Sequence, residues 1–231
     1  MTKNAYHHGD LRATLLAAAA EDIAASGVDS VSLRGLVRRA GVSHAAPTHH
    51  FGDKRGLLTA LAAEGFHRLA DELESSTGDL RTVALAYIRF ALDNPAHFAV
   101  MFRRDLLRTD DAALVEARAR SGAVLERGVA HLIPGRDGAD RRTVQLAAWS
   151  LVHGFASLWL DGALTGSPLV GDAEPEDVAR RMVGTVLFDG RTEPRSKHLR
   201  HRNPARRNDL RLGNRCRRAD TDHYGRHYVQ F

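Results

Sequence analysis

The chain holds a single cysteine, Cys216, and no apolar run of eighteen residues. The first scarcity excludes a disulfide framework within the sequence and fits a reducing, cytoplasmic setting. The second leaves no segment able to cross a membrane as a helix, and the polar N-terminus lacks the apolar core of a secretion signal. Strand alternation is missing throughout, so helical periodicity accounts for the apolar residues and the expected fold is all-α. No nucleophile is paired with a base, and Ser150 and Ser157 lack a glycine-elbow setting, which argues against an enzyme. Thirteen histidines invite a metal reading. The pairs His7–His8 and His49–His50 are adjacent, however, and adjacent residues on a helix face different ways. No His, Cys, Asp or Glu set has metal-ligand spacing, so neither metal nor cofactor is expected.

Charge is present but unevenly placed. Residues 191–231 carry 12 Lys and Arg against 4 Asp and Glu, whereas residues 1–190 carry 21 against 24. The formal net charge of +5 therefore arises in the tail. That tail has no helical apolar stripe and is crowded with Arg, His and Asn, so it is expected to be disordered. Two readings stay open: a flexible arm attracted to nucleic-acid phosphate, or an extension without an adapted role. Before the tail, positive field must be local, and it gathers at Arg34, Arg38, Arg39, Lys54 and Arg55.

Those residues bracket the most informative stretch. Leu33, Leu36, Val37 and Ala40 recur at helical spacing and give a short helix one apolar face. Gly41 supplies a tight turn, and Ser43 is placed to cap a second helix by accepting a backbone N–H. That second helix is short and polar on its outer side, as a helix entering a major groove must be. An amphipathic helix over 11–25 precedes the pair, with Asp10 as its expected cap and Gly27 at its stop. Asp53 is expected to cap a long fourth helix carrying Leu57, Leu58, Leu61, Phe66, Leu69 and Leu73.

Residues 6–60 resemble the N-terminal domain of the TetR family of transcriptional repressors. The matching features are the helix ending near Gly27, the opening Val31, Ser32, Leu33 and Arg34, the turn Ala40 to Ser43, and His50–Phe51 followed by Asp53 to Leu58. Tyr6 to Leu11 and the later Trp149, His153 and Gly154 resemble a subgroup with a Trp-His-Gly motif, which extends the resemblance to about residue 188. The resemblance implies DNA contacts from Arg34, Ser43, His44, Ala45, Ala46, Thr48, His49, His50 and Lys54. Physically, Arg can read guanine and Ala can pack on a thymine methyl, while Lys at a helix start anchors phosphate. Pro47 and Thr48 depart from the family's usual Leu-Tyr. Proline is tolerable there only near the first turn, and Thr48 offers a shorter phosphate contact than an aromatic hydroxyl.

The remaining sequence reads as helices over 80–93, a short segment after Pro95, one opened by Asp110–Asp111 and ended by Pro134–Gly135, one over 141–164, and a last one from Pro175 to about Phe188. The expected organisation is a three-helix helix-turn-helix domain over 1–60, a helical effector-binding and dimerisation domain over 61–190, and the tail 191–231. Trp149 and His153 share a helix face at i, i+4. With Tyr87, Phe98, Met101 and Phe102 they either line an effector pocket or simply fill the core. The resemblance implies a homodimeric repressor on a palindromic double-stranded DNA operator, released by a small-molecule effector of unknown identity. Two rivals are a DNA-binding protein with a filled core and no effector, and an interaction protein whose reading head is damaged at Pro47–Thr48.

Overall fold

A computed structural model describes residues 5–40, 46–76, 79–133, 135 and 137–188, and these are mostly helical with no strand among them. The order is α1 (Ala5–Ser26), α2 (Leu33–Ala40), α3 (Ala46–Phe51), α4 (Lys54–Ser75), α5 (Leu80–Asp93), α6 (Pro95–Met101), α7 (Ala112–Leu132), α8 (Gly138–Leu160) and α9 (Pro175–Val183). Short 3-10 turns at Val28–Ser30 and Arg104–Leu106 join α1 to α2 and α6 to α7.

One device starts four of these helices. Asp53 accepts from the Gly56 amide at 2.8 Å, Asp79 from Thr82 at 3.0 Å, Asp111 from Leu114 at 3.1 Å and Asp137 from Asp140 at 2.9 Å. Each satisfies an amide that the first helical turn cannot bond internally, a contribution of about 1 kcal/mol. Ser32 does the same for α2, accepting from Gly35 at 3.1 Å.

Three expectations need correction. Asp10 lies within α1, which begins at Ala5 and not after an Asp10 cap. No proline or left-handed glycine interrupts residues 5–10, so the helical backbone continues through them. The helix expected over 141–164 is displaced to Gly138–Leu160. Asp137 caps it early, and the chain leaves helical geometry before Gly162, whose φ of 72° suits glycine. The last helix is regular only to Val183 and then widens into π geometry over Gly184–Phe188. The expectations for the Ser43 cap and for the tail 191–231 fall outside the described residues.

Helix α4 is the spine. Leu57, Leu58, Leu61, Ala62, Leu69 and Ala70 are buried on it, and it packs against α7, α6 and α5. Burying each of the larger side chains stabilises the fold by about 1.5–3 kcal/mol. It runs without a break through residue 60, so one rigid element starts at the helix-turn-helix and ends beneath α5 and α7.

Candidate DNA-binding head and aromatic cluster

The head is built by α1, α2 and α3 on the start of α4. Leu36 and Val37 turn inward while Arg34 and Arg38 stay exposed, which follows directly from the apolar stripe of α2. On α3, Thr48 and His49 are exposed, His50 is half-buried and Phe51 is buried with the Arg12 guanidinium 5.7 Å from its ring centre. Pro47 is the second residue of described α3, where its missing N–H costs no helical bond. Ala46 lies on α3; Ser43, His44 and Ala45 fall outside the described residues.

The turn from α3 into α4 is tight. A Cβ at Gly56 would lie 1.9 Å from the Phe51 carbonyl oxygen, so only glycine lets the two helices approach this closely. Arg108, from the α6–α7 connection, closes the turn from outside: its Nη2 lies 3.0 Å from Asp53 Oδ1. The Gly56 amide, with help from Arg108, holds the Asp53 carboxyl below its usual range.

The positive field is narrower than expected from sequence. Arg39 donates to the Ala18 carbonyl and pairs with Asp22 at 2.7 Å, with Glu21 3.9 Å away. Arg55 donates to the Leu107 carbonyl at 2.7 Å. Asp22 offsets the charge of Arg39, whereas Arg55 stays exposed with only one of its five N–H donors engaged, on a neutral carbonyl, and keeps its positive charge. Lys54 donates to the Asp29 carbonyl at 3.2 Å, and an ammonium has two further donors.

In the C-terminal region the structure brings Tyr87, Phe98, Phe102, Trp149 and His153 together. Phe102, Phe98 and Trp149 lie 4.5, 5.1 and 5.3 Å from His153, ring centre to ring centre. Tyr87 Oη is 2.9 Å from His153 Nδ1. Burial pushes the Tyr87 phenol pKa upward, against a weaker opposing effect of Trp149, and burial pushes that of His153 downward. A neutral phenol donating to a neutral imidazole is the pairing both shifts favour. Tyr87 and Phe98 are buried, whereas Phe102, Trp149 and His153 keep partial exposure. Met101 differs: it is fully buried, with its sulfur fitted against Gly65 of α4, where a Cβ would come within 2.7 Å.

Two participants escaped the sequence reading. Phe66 extends the cluster, 5.4 Å from Phe102. Arg118 stacks on Phe66, with its guanidinium carbon 5.3 Å from the ring centre. The missed signal is positional: Arg118 occupies the inward stripe of α7 with Leu114, Ala117 and Ser121, all buried.

Residues 15–61 match the family model for bacterial regulatory proteins of the tetR family, and residues 80–186 match that for the tetracyclin repressor-like C-terminal domain. The chain belongs to the TetR family. Like other TetR-family transcriptional regulators it combines a DNA-binding helix-turn-helix with a C-terminal ligand-binding domain. A solved protein of unknown function from Rhodococcus sp. RHA1 is 35% identical, with a TM-score of 0.63, over 79% of this chain and 96% of that one. The TetR-family regulator PfmR from Thermus thermophilus is 23% identical, with a TM-score of 0.55, over 75% of this chain and 96% of its own. A tetR-family regulatory protein from Rhodococcus RHA1 is also 23% identical, with a TM-score of 0.56, over 75% and 93%. The latter two speak to fold alone. No curated protein matches the chain.

Proposed function

We propose that this TetR-family protein is a homodimeric repressor that binds a palindromic operator and is released by a small molecule held at the aromatic cluster. The observation that carries the reading is the continuity of α4. Lys54 at its start belongs to the head, and Phe66, three turns on, touches Phe102 of the cluster. A ligand that moved Phe102 would act on the same rigid helix that carries Lys54.

In this reading Arg34, Thr48, His49, His50 and Lys54, with Ser43, His44, Ala45 and Ala46, face DNA. Two-fold symmetry sets the recognition helices of a dimer one helical turn apart, about 34–36 Å. Tyr87, Phe98, Phe102, Trp149 and His153 contact the effector, with Met101 acting from behind through its fit against Gly65. Trp149, His153 and Gly154 support placing the protein in a subgroup with a Trp-His-Gly motif in the C-terminal domain. The domains divide near residue 60, as do the functions. The dimer face is α8 with the π segment that follows α9: Leu146 and Leu158 on α8 and Val186 on that segment are exposed, and a Cβ at Gly154 would meet nothing within 4 Å. A large apolar side chain set in water at several positions on one helix pair is the pattern of an interface.

The test is a salt series of binding to the DNA upstream of its own gene, with mass measurement by light scattering. One preferred site, bound by a dimer and with steep salt dependence, supports the proposal. A monomer without site preference sinks it.

A further inference from the structure

Arg118 is in an unusual position for a cation. It takes a core-facing place on α7 and lies partly buried on the Phe66 ring. Among the described residues no carboxylate reaches it. The one hydrogen bond of its guanidinium to them is a long one, 3.4 Å from Nη2 to the Met101 carbonyl oxygen. The charge it feels most is another cation, Arg104, and that repulsion adds to burial in lowering its pKa. A partly buried guanidinium without an anion is costly, since its charge is neither fully hydrated nor neutralised. Two other arginines set against helix surfaces show the contrast: Arg120 is paired with Asp71 at 2.7 Å and with Glu74, and Arg108 with Asp53.

Phe66 joins this charge to the aromatic cluster without a gap. Arg118 stacks on Phe66, Phe66 meets Phe102 edge-on, and Phe102 meets Trp149 at 6.1 Å and His153. Going along that line, one end is a planar fork of N–H donors and the other a set of partly exposed rings. His153 cannot serve as a second cation at neutral pH, because burial lowers its pKa. The polarity of the site is thus one-sided: positive at α7, apolar and neutral at α8.

We infer that the effector is an amphipathic carboxylate, whose carboxylate is taken bidentately by Arg118 while its apolar body lies on Phe102 and Trp149. The inference rests on the pocket reading made under the proposed function. A guanidinium matches a planar carboxylate in two parallel hydrogen bonds, and the ligand supplies the anion that α7 lacks. It also identifies Arg118 as the residue that decides specificity, since an uncharged analogue of equal shape would leave the cation as it is in the free protein.

The test is calorimetric titration of the full chain with two matched pairs, decanoate against decanamide and 4-phenylbutyrate against 4-phenylbutyramide. For at least one pair, the acid is expected to bind about tenfold or more tightly than its amide. Arg118→Gln is expected to abolish that preference, with a thermal melt matching that of the unmodified protein as the check that the variant is folded. Arg118→Lys, keeping charge but not the fork, is expected to retain a smaller preference. Equal affinities for acid and amide in the unmodified protein overturn the role of Arg118 and leave the pocket standing. So does an acid preference that survives in Arg118→Gln. If none of the four probes binds, the inference and the pocket reading fall together.

Discussion

Asp53 and Arg108, fifty-five positions apart in sequence, meet at 3.0 Å on the turn that carries the DNA-binding head into α4. Arg55 makes a second link, donating to the Leu107 carbonyl beside Arg108. The Arg108 amide makes a third, donating to Thr59 Oγ1 at 2.9 Å. The connection between α6 and α7 is therefore fastened to the first turns of α4 by three polar contacts. Asp53 serves two masters, since its Oδ1 also caps α4.

Substitutions can separate these roles. Asp53→Asn keeps a capping acceptor and loses the ion pair, whereas Asp53→Ala loses both. We expect Asp53→Ala to cost about 1 kcal/mol in chemical denaturation, and Asp53→Asn a few tenths at most, because caps outweigh exposed ion pairs. Equal losses for the two variants would mean that the pair with Arg108, and not the cap, dominates. Arg108→Ala is expected to keep operator binding but blunt its release by effector, measured as a smaller shift in operator affinity at saturating ligand.

Gly56 and Gly154 are both helical and should respond oppositely. Gly56→Ala drives a Cβ into the Phe51 carbonyl oxygen, a backbone atom that cannot turn aside. A loss of more than about 3 kcal/mol, or failure to fold, is expected in thermal melts, on the scale of severe backbone clashes. Gly154→Ala meets nothing within the subunit and gains up to about 1 kcal/mol of helix propensity. If a partner helix packs on Gly154, a bulkier Gly154→Leu weakens the dimer in sedimentation while each subunit stays helical.

The aromatic cluster predicts a pH dependence with a definite sign. His153 has its pKa lowered by burial, so the unfolded chain binds a proton more readily than the folded one. Its share of stability is complete above the unfolded value, about 6.5, and is lost as pH falls from there through the folded value. Tyr87→Phe removes the hydrogen bond to His153 Nδ1 and leaves that nitrogen unsatisfied, at a cost of about 1 kcal/mol or more. Denaturation midpoints at about pH 7.5 and about pH 5.5, on either side of the ordinary histidine value, check both points. A His153→Gln variant with the same pH slope as the unmodified chain would refute the first.

Lys54 supplies a test of the head. With one donor on the Asp29 carbonyl, its remaining donors suffice for one phosphate. Lys54→Gln is expected to weaken binding alike on all sequences and to reduce the slope of log affinity against log salt by about one. A change confined to one base pair of the operator would contradict a phosphate role.

Much of this was legible in the sequence because it is local. The caps at Asp53, Asp79 and Asp111 announce themselves as an acidic residue before a periodic apolar run, and the stripe Leu33, Leu36, Val37 lies within a single helix. The i, i+4 pair Trp149 and His153 is local as well. What escaped is long-range. Nothing near Arg55 or Arg39 in sequence reveals that Leu107 or Asp22 awaits them, so both read as free cations. Arg118 was open to discovery, as a charge among the buried positions Leu114, Ala117 and Ser121, but only once α7 had been assigned an inward face.

The fit of Met101 against Gly65 bears on how α6 can move. Its sulfur sits in the gap left by a missing side chain, and the α4 positions one turn either way are Leu61 and Leu69, both large and buried. Neither of those positions offers the sulfur a second notch. For the seven-residue α6, held at its last residue, a tilt about that point disturbs this fit less than a slide of a full turn along α4. Whatever disturbs Phe102, the very next residue, would be converted into rotation around a fixed pivot.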